Sequence, residues 1–327
     1  MADQPTKHPT AGADILGWIR ANPLGAVAIG AIVVTLVYFF GFVPLFPDPG
    51  NGIRSTAVWA WHSWNEVTNY EHAKLIPLIV IFLIWHARKQ IAAAPIKSSR
   101  WGWLFIAAGI ALFLVGARSV QARLALSAVP ILLFGIVLYA AGKNVARVLL
   151  FPIAFLFFMV PLNFLTQGTT GLQSFETRAA AKICNLLGVG VYALGNTINA
   201  ANDAFHFSID EGCSGIRSLM AIAMLSALYG HFTQDRLWKK IVIFAASIVF
   251  AIIGNAGRLT SIVLVGRFFG QDLAGGPYHA VSGYLSFPFA LAAMVLFGKL
   301  LNIGSKRSTP PKAQPAALPK ESVSYDY

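Results

Sequence analysis

The stretch Glu211-Gly212-Cys213-Ser214-Gly215-Ile216-Arg217-Ser218 places one of the chain's 2 cysteines at the mouth of a long apolar segment, with small residues on both sides. Gly212, Ser214 and Gly215 leave little bulk around the Cys213 sulfur. A substrate backbone can therefore approach it closely, as a thiol nucleophile requires. Downstream, Asn255-Ala256-Gly257-Arg258 and Tyr278-His279 sit at the ends of other apolar segments. A histidine can take the thiol proton and later return it to a leaving amine. A guanidinium stays protonated, so it cannot act as a base. It can stabilise a thiolate or an oxyanion, or hold a substrate carbonyl or carboxylate. Cys213, His279 and Arg258 are thus the candidate nucleophile, base and electrostatic partner. Ser214, Arg217 and Asn255, their neighbours in sequence, are the candidate substrate-binding residues.

Blander roles compete with each assignment. Cys213 can be an inert buried thiol, or can pair with Cys184 if both face an oxidising compartment. Cys184 lies among Ile183 and Leu186 and reads as packing. Arg258 can snorkel from a helix end, and Arg217 and Arg267 compete for its role. His279 can serve structure at a helix start; His206 is its main rival, with His62 and His72 on the same side. His206, Cys213 and His279 lack the tight ligand spacing of a metal site, so neither a metal nor a cofactor is expected. Walker, GxSxG and HExxH motifs are missing from the sequence, and the glycines read as scattered, as in membrane helices generally.

The elements that must position these residues lie in a membrane. The chain is 56% hydrophobic and 12% charged, with a mean hydropathy of +0.64; soluble domains average about 25% charged residues. Uncharged apolar runs at 24–46, 101–117, 124–142, 148–165, 218–232, 241–257 and 281–298 approach or exceed the length a bilayer needs. A shorter run at 75–85 is extended by His72, Lys74 and His86, giving about eight spans. The fold class expected is all-α: a polytopic membrane helical bundle over 21–304, with a polar tail at 1–20 and a proline-rich, disordered tail at 305–327. The first run is too long for a signal-peptide core and reads as an uncleaved span.

The net charge of +12 does not indicate nucleic acid here, because it concentrates in alternate loops. With the N-terminus inside, Arg88, Lys89, Lys97, Arg100, Lys143, Arg147, Arg236, Lys239, Lys240, Lys306, Arg307 and Lys312 all fall inside. Outside loops hold Arg54, Lys74, Arg118, Arg123, Arg178 and Lys182. This matches the positive-inside rule, with the basic loops facing the cytoplasm, and the membrane expected is the cytoplasmic one. It also brings Cys213, Arg258 and His279 to the outer face, a convergence the charge count did not assume. Residues 259–270 are too short to span twice and read as re-entrant or interfacial. Within the outer loop 166–215, residues 176–198 carry apolar side chains near helical spacing and read as an amphipathic helix. Residues 204–210 alternate and read as extended. Trp59, Trp61 and Trp64 suggest an interfacial aromatic belt.

Cys213-Ser214-Gly215-Ile216-Arg217, Asn255-Ala256-Gly257-Arg258 and His279 together resemble the signature of the exosortase/archaeosortase family. Tyr70-Glu71-His72-Ala73-Lys74-Leu75-Ile76-Pro77-Leu78 is similar to the family's early histidine segment, and Phe157-Phe158-Met159-Val160-Pro161-Leu162 to its mid-chain proline segment. The resemblance spans roughly residues 25–300. Histidine in the third catalytic place is of the bacterial type. Two departures stand out. Gly212 stands where many members have alanine, and the short tail after the last apolar run is not expected to carry the extra domain fused to some members.

The resemblance implies a membrane cysteine transpeptidase or protease with Cys213, Arg258 and His279 as catalytic residues. It implies partners that are exported proteins with a C-terminal sorting tail: a short motif such as Pro-Glu-Pro, one transmembrane helix and a basic end. Membrane lipids surround the whole. Two other classes remain. A transporter or polysaccharide-export component predicts polar residues at mid-span depth, whereas the candidates here cluster near span ends. A thiol oxidoreductase using Cys184 and Cys213 lacks a CxxC motif.

Overall fold

A computed structural model of the chain describes residues 17, 20, 23–65, 68–161, 163–202, 205–208 and 216–303. The expected C-terminal tail and the expected N-terminal tail, but for Gly17 and Arg20, lie outside the described residues. So do Cys213 and Ser214. The structure is helical almost throughout, as a chain must be when a bilayer offers its backbone no water. The elements are α1 (Pro23–Gly41), a hairpin of β1 (Phe46–Asp48) and β2 (Gly52–Arg54), α2 (Thr56–Ser63) and α3 (Ile76–Ala93). Then come α4 (Gly102–Arg118), α5 (Ala122–Ala140), α6 (Gly142–Phe155) and α7 (Asn163–Leu186). A small sheet follows, of β3 (Val191–Leu194), β4 (Thr197–Ala200) and β5 (His206–Ser208). The chain continues with α8 (Ile216–Thr233), α9 (Leu237–Phe269), α10 (Gln271–Gly275) and α11 (Pro277–Leu300).

Among the described residues, 5 helices can cross a membrane by length and composition: Glu71–Ala93, Ala122–Ala140, Gly142–Met159, Leu237–Phe269 and Val281–Leu300. Three shorter apolar helices, Ile29–Gly41, Gly102–Arg118 and Ser218–Thr233, stand at the other expected spans. The first half of the chain packs α1 to α6 around one core that includes Tyr70, Ile76, Ile106, Leu132 and Phe155. Two of the tryptophans expected in an interfacial belt belong to this core. Trp59 is buried, and Trp64 is buried with its Nε1 donating to the Met159 carbonyl at 2.9 Å; only Trp61 is exposed. An indole is placed wherever its N–H finds an acceptor, and here that acceptor is protein.

The glycines on α4 are not scattered. Gly102, Gly109 and Gly116 recur at heptad spacing on its buried face against α5. Between membrane helices, small residues allow close backbone approach and the dispersion contacts that hold a bundle together. A Cβ on Gly116 would stand 2.6 Å from the Ala125 backbone nitrogen and 3.1 Å from the Gln121 carbonyl oxygen, and neither backbone atom can yield. Gly116→Ala is therefore expected to destabilise the bundle by roughly 1–3 kcal/mol. The check is thermal melting in detergent beside Gly30→Ala, whose added Cβ meets nothing within 4 Å. Equal melting of the two variants contradicts the packing account.

The second half is built on α9. This single helix has 33 residues, about 50 Å long, against about 30 Å of hydrocarbon. Residues 259–270 are therefore not re-entrant: through Phe269 they continue α9 without a break. Leu259, Ile262 and Val263 stay buried because a cap covers them. They pack with Ala180, Ala181 and Cys184 of α7, Val191, Ile198 and Phe207 of the sheet, and Ala274 of α10. The cap also corrects the helix expected over 176–198. That helix starts earlier and ends at Leu186, and β3 and β4 follow, paired Leu194↔Thr197 across Gly195-Asn196. Gly195 has φ +58, as the first central residue of a type II′ hairpin turn requires. The extended reading of 204–210 holds in β5.

Helix α11 lies antiparallel to α9 and is tied to it at both ends. At one end the buried Lys239 Nζ donates to the Leu301 carbonyl at 2.8 Å and to Asn302 Oδ1 at 2.9 Å. This places a cation where α11 leaves its last carbonyls unpaired. Midway, a Cβ on Gly254 would meet that of Ala290 at 3.2 Å, so the helices run close. The other end holds the candidate site.

Candidate functional site

Arg258 lies on α9, about 32 Å along the helix from Leu237, which matches one bilayer thickness. It is half-buried, and its Nε donates to the Ser282 hydroxyl at 3.0 Å. Its Nη2 donates to the His279 carbonyl at 3.3 Å. The Ser282 hydroxyl donates in turn to that same carbonyl at 2.8 Å. Pro277 opens α11 with a preset φ and no N–H to satisfy, so His279 falls in the first turn. Carbonyls there point along the helix, and this one is met by both the hydroxyl and the guanidinium. The cation and the histidine expected to act together are thus joined through the backbone of residue 279. Gly283 lies against the guanidinium.

Asn255 precedes Arg258 by one turn of α9 and is 4% exposed. Its Nδ2 donates to Oε2 of Glu176 at 2.7 Å. Glu176 is 1% exposed, on the face of α7 that also buries Gln173, Thr177, Ala180 and Cys184. Burial pushes its carboxyl up to about 7, and the Asn255 hydrogen bond pulls partly the other way. Sequence reasoning missed Glu176 because an acid on an amphipathic helix reads as solvated. The signal available was its place in the i, i+3, i+4 stripe with Gln173, Thr177 and Ala180.

Cys213 and Ser214 lie outside the described residues, and Arg217 is placed on the first turn of α8 without a described side chain. The elements flanking the cysteine stretch both pack on α9. On one side, a Cβ on Gly266 would strike the ring of Phe207 of β5. On the other, Ser218 of α8 borders a small cavity with Asn255, Gly254 and Ser286.

The other competing residues do not join the Arg258–His279 contact. Arg267 is exposed in the last turn of α9. His206 is exposed on β5, its carbonyl accepting from Gln271 Nε2 at 3.1 Å. His62 pairs with Asp48 at 2.5 Å, and the His72 ring lies 5.2 Å from that of Tyr70. Cys184 is a free thiol at 0% exposure, pushed up to about 11 by burial. This burial agrees with the packing role that its neighbours Ile183 and Leu186 suggest for Cys184.

Comparison with known proteins gives one result that bears on the whole arrangement. A family model described as transmembrane exosortase matches residues 64–298, a range that includes Cys213, Arg258 and His279. No curated protein and no solved structure matches the chain.

Proposed function

The chain belongs to the transmembrane exosortase family, and from that premise we propose that it is a membrane cysteine transpeptidase or protease. Its substrates are exported proteins, and it removes their C-terminal sorting tails at the outer face of the cytoplasmic membrane. The observation that carries this reading is the tie of Arg258 to His279 through the His279 carbonyl. The loop charge asymmetry supports the orientation.

In the proposed reaction the tail's transmembrane helix docks beside the spans and presents its motif at the outer surface. His279 takes the Cys213 proton, and the thiolate sulfur attacks the motif carbonyl. Arg258 stabilises first the thiolate and then the oxyanion. The C–N bond breaks, His279 protonates the departing amine, and a thioester links the substrate to Cys213. An outer amine or water attacks that thioester and returns the thiol. Ser214 and Arg217 are the residues proposed to hold the motif; Asn255, expected beside them, is instead buried and donates inward to Glu176, so it supports the site from within.

The test is co-expression with a tailed substrate, comparing the wild type with Cys213→Ala at equal membrane levels. The wild type is expected to shorten the substrate and Cys213→Ala to leave it intact. Intact mass then separates an amine acceptor from water. Cleavage at wild-type rate in the alanine variant removes the mechanism. Intact substrate in both strains across several tail motifs favours the transporter class instead.

A further inference from the structure

A carboxyl side chain buried as Glu176 is must be held by hydrogen bonds or it destabilises the fold. Here it accepts from Asn255 at 2.7 Å, across the contact between α7 and α9. The rest of the α7 face is fixed as well. Asn196, at the tip of the β3–β4 hairpin, donates from Nδ2 to Gln173 Oε1 at 2.7 Å and accepts from Ser174 at 2.9 Å. Apolar packing between two helices tolerates small rotations about their axes. A short hydrogen bond between buried side chains does not, since displacement stretches or breaks it where no water can replace it. Asn255 and Arg258 lie on adjoining positions of one helix. The rotation that seats Asn255 on Glu176 is therefore the rotation that aims Arg258 at His279 and Ser282.

We propose that Glu176 is a positioning residue of the site: by accepting from Asn255 it fixes the rotation of α9, and with it the pose of Arg258 beside His279. This rests on the reading of Arg258 as the electrostatic partner of Cys213. Two readouts on the full chain in its membrane test it. One is tail cleavage. The other is alkylation of Cys213 by a small maleimide at neutral pH, which needs no substrate; Cys184 is silent because it is fully buried.

Glu176→Ala is expected to lower both the alkylation rate and the cleavage kcat about tenfold, with KM within about twofold. Glu176→Gln keeps an acceptor oxygen and stays within about threefold of the wild type. Glu176→Ala/Asn255→Ala is no slower than Asn255→Ala alone, because the two residues act as a unit. Unchanged alkylation in Glu176→Ala overturns the proposal, as does Glu176→Gln falling as far as alanine, or additive losses in the double variant.

Should Glu176→Ala not accumulate in the membrane, reversing donor and acceptor decides. Glu176→Gln/Asn255→Asp is expected to recover about fivefold or more over Asn255→Asp alone, and no recovery overturns the proposal. Arg258→Ala separates the two levels of inference. If it leaves alkylation unchanged, the reading of Arg258 fails and the proposal falls with it. If it slows alkylation while Glu176→Ala does not, the proposal alone falls.

Discussion

Arg258→Ala is expected to lower the rate of the proposed tail cleavage by about 10²–10³-fold, the usual cost of removing one preorganised group that stabilises developing charge. Arg258→Lys is expected to recover little. The guanidinium reaches two acceptors at once, the Ser282 hydroxyl through Nε at 3.0 Å and the His279 carbonyl through Nη2 at 3.3 Å. A planar fork makes both contacts in one pose, while an ammonium on a flexible stem is a point charge that must choose between them. The lysine variant thus keeps the net charge and loses the geometry. Single-turnover cleavage by the two variants, at membrane levels matched to wild type, is the check. Loss in alanine with full activity in lysine would reduce Arg258 to a source of charge. Full activity in both would remove it from the mechanism. Ser282→Ala gives an intermediate case. It frees Nε but leaves the longer bond to the carbonyl, and is expected to cost less than about tenfold.

The spans were legible in the sequence because hydrocarbon imposes a length and forbids charge, so a run such as 124–142 can hardly be anything else. The far end of α9 was not. Arg258 looked like the residue at which the helix leaves the membrane, and 259–270 looked too short to be a span. Yet a cation does not end a helix. Leu259, Ile262 and Val263 continue the buried face, and what covers them is the cap of α7, β3–β5 and α10. The cap was illegible for a related reason. Val191 and Leu194 fall near helical spacing with the apolar residues before them. Only Gly188 and Gly195, at φ +82 and +58, show that the chain turns. The heptad of Gly102, Gly109 and Gly116 was readable and was taken as background. Glycine's role appears only when the partner helix is known, and here that partner is α5. Of the candidate site, Arg258 and His279 were picked out by residue type, and the structure brings the Arg258 guanidinium to the His279 carbonyl. Glu176 was hidden because burial, which gives a carboxyl its consequence, is decided by α9.

That burial predicts a pH dependence of stability opposite to the usual one for a carboxylate. In the unfolded chain Glu176 titrates at its ordinary value of 4.5, while in the fold burial holds it up to about 7. Below pH 4.5 both states carry the proton and the group contributes nothing unfavourable. As the pH rises from 4.5 towards 7 the unfolded state ionises first, so stability falls; above 7 the loss is complete and constant. At 1.36 kcal/mol per pH unit the gap is worth about 3 kcal/mol. Glu176→Gln keeps an oxygen that can accept from Asn255 and has no charge to bury, so it should not share this decline. The variant is expected to melt close to wild type near pH 5 and several degrees above it at pH 8, in the same detergent. Parallel melting curves from pH 5 to 8 would show that Asn255 and its surroundings stabilise the ionised carboxylate fully. A Gln variant less stable than wild type at pH 8 would go further and make the charge itself a stabilising element of the α7–α9 contact. The expected outcome is the reverse: the acceptor oxygen, which glutamine also offers, holds α9 in place, while the charge that forms on the buried carboxyl as the pH rises is a cost in stability.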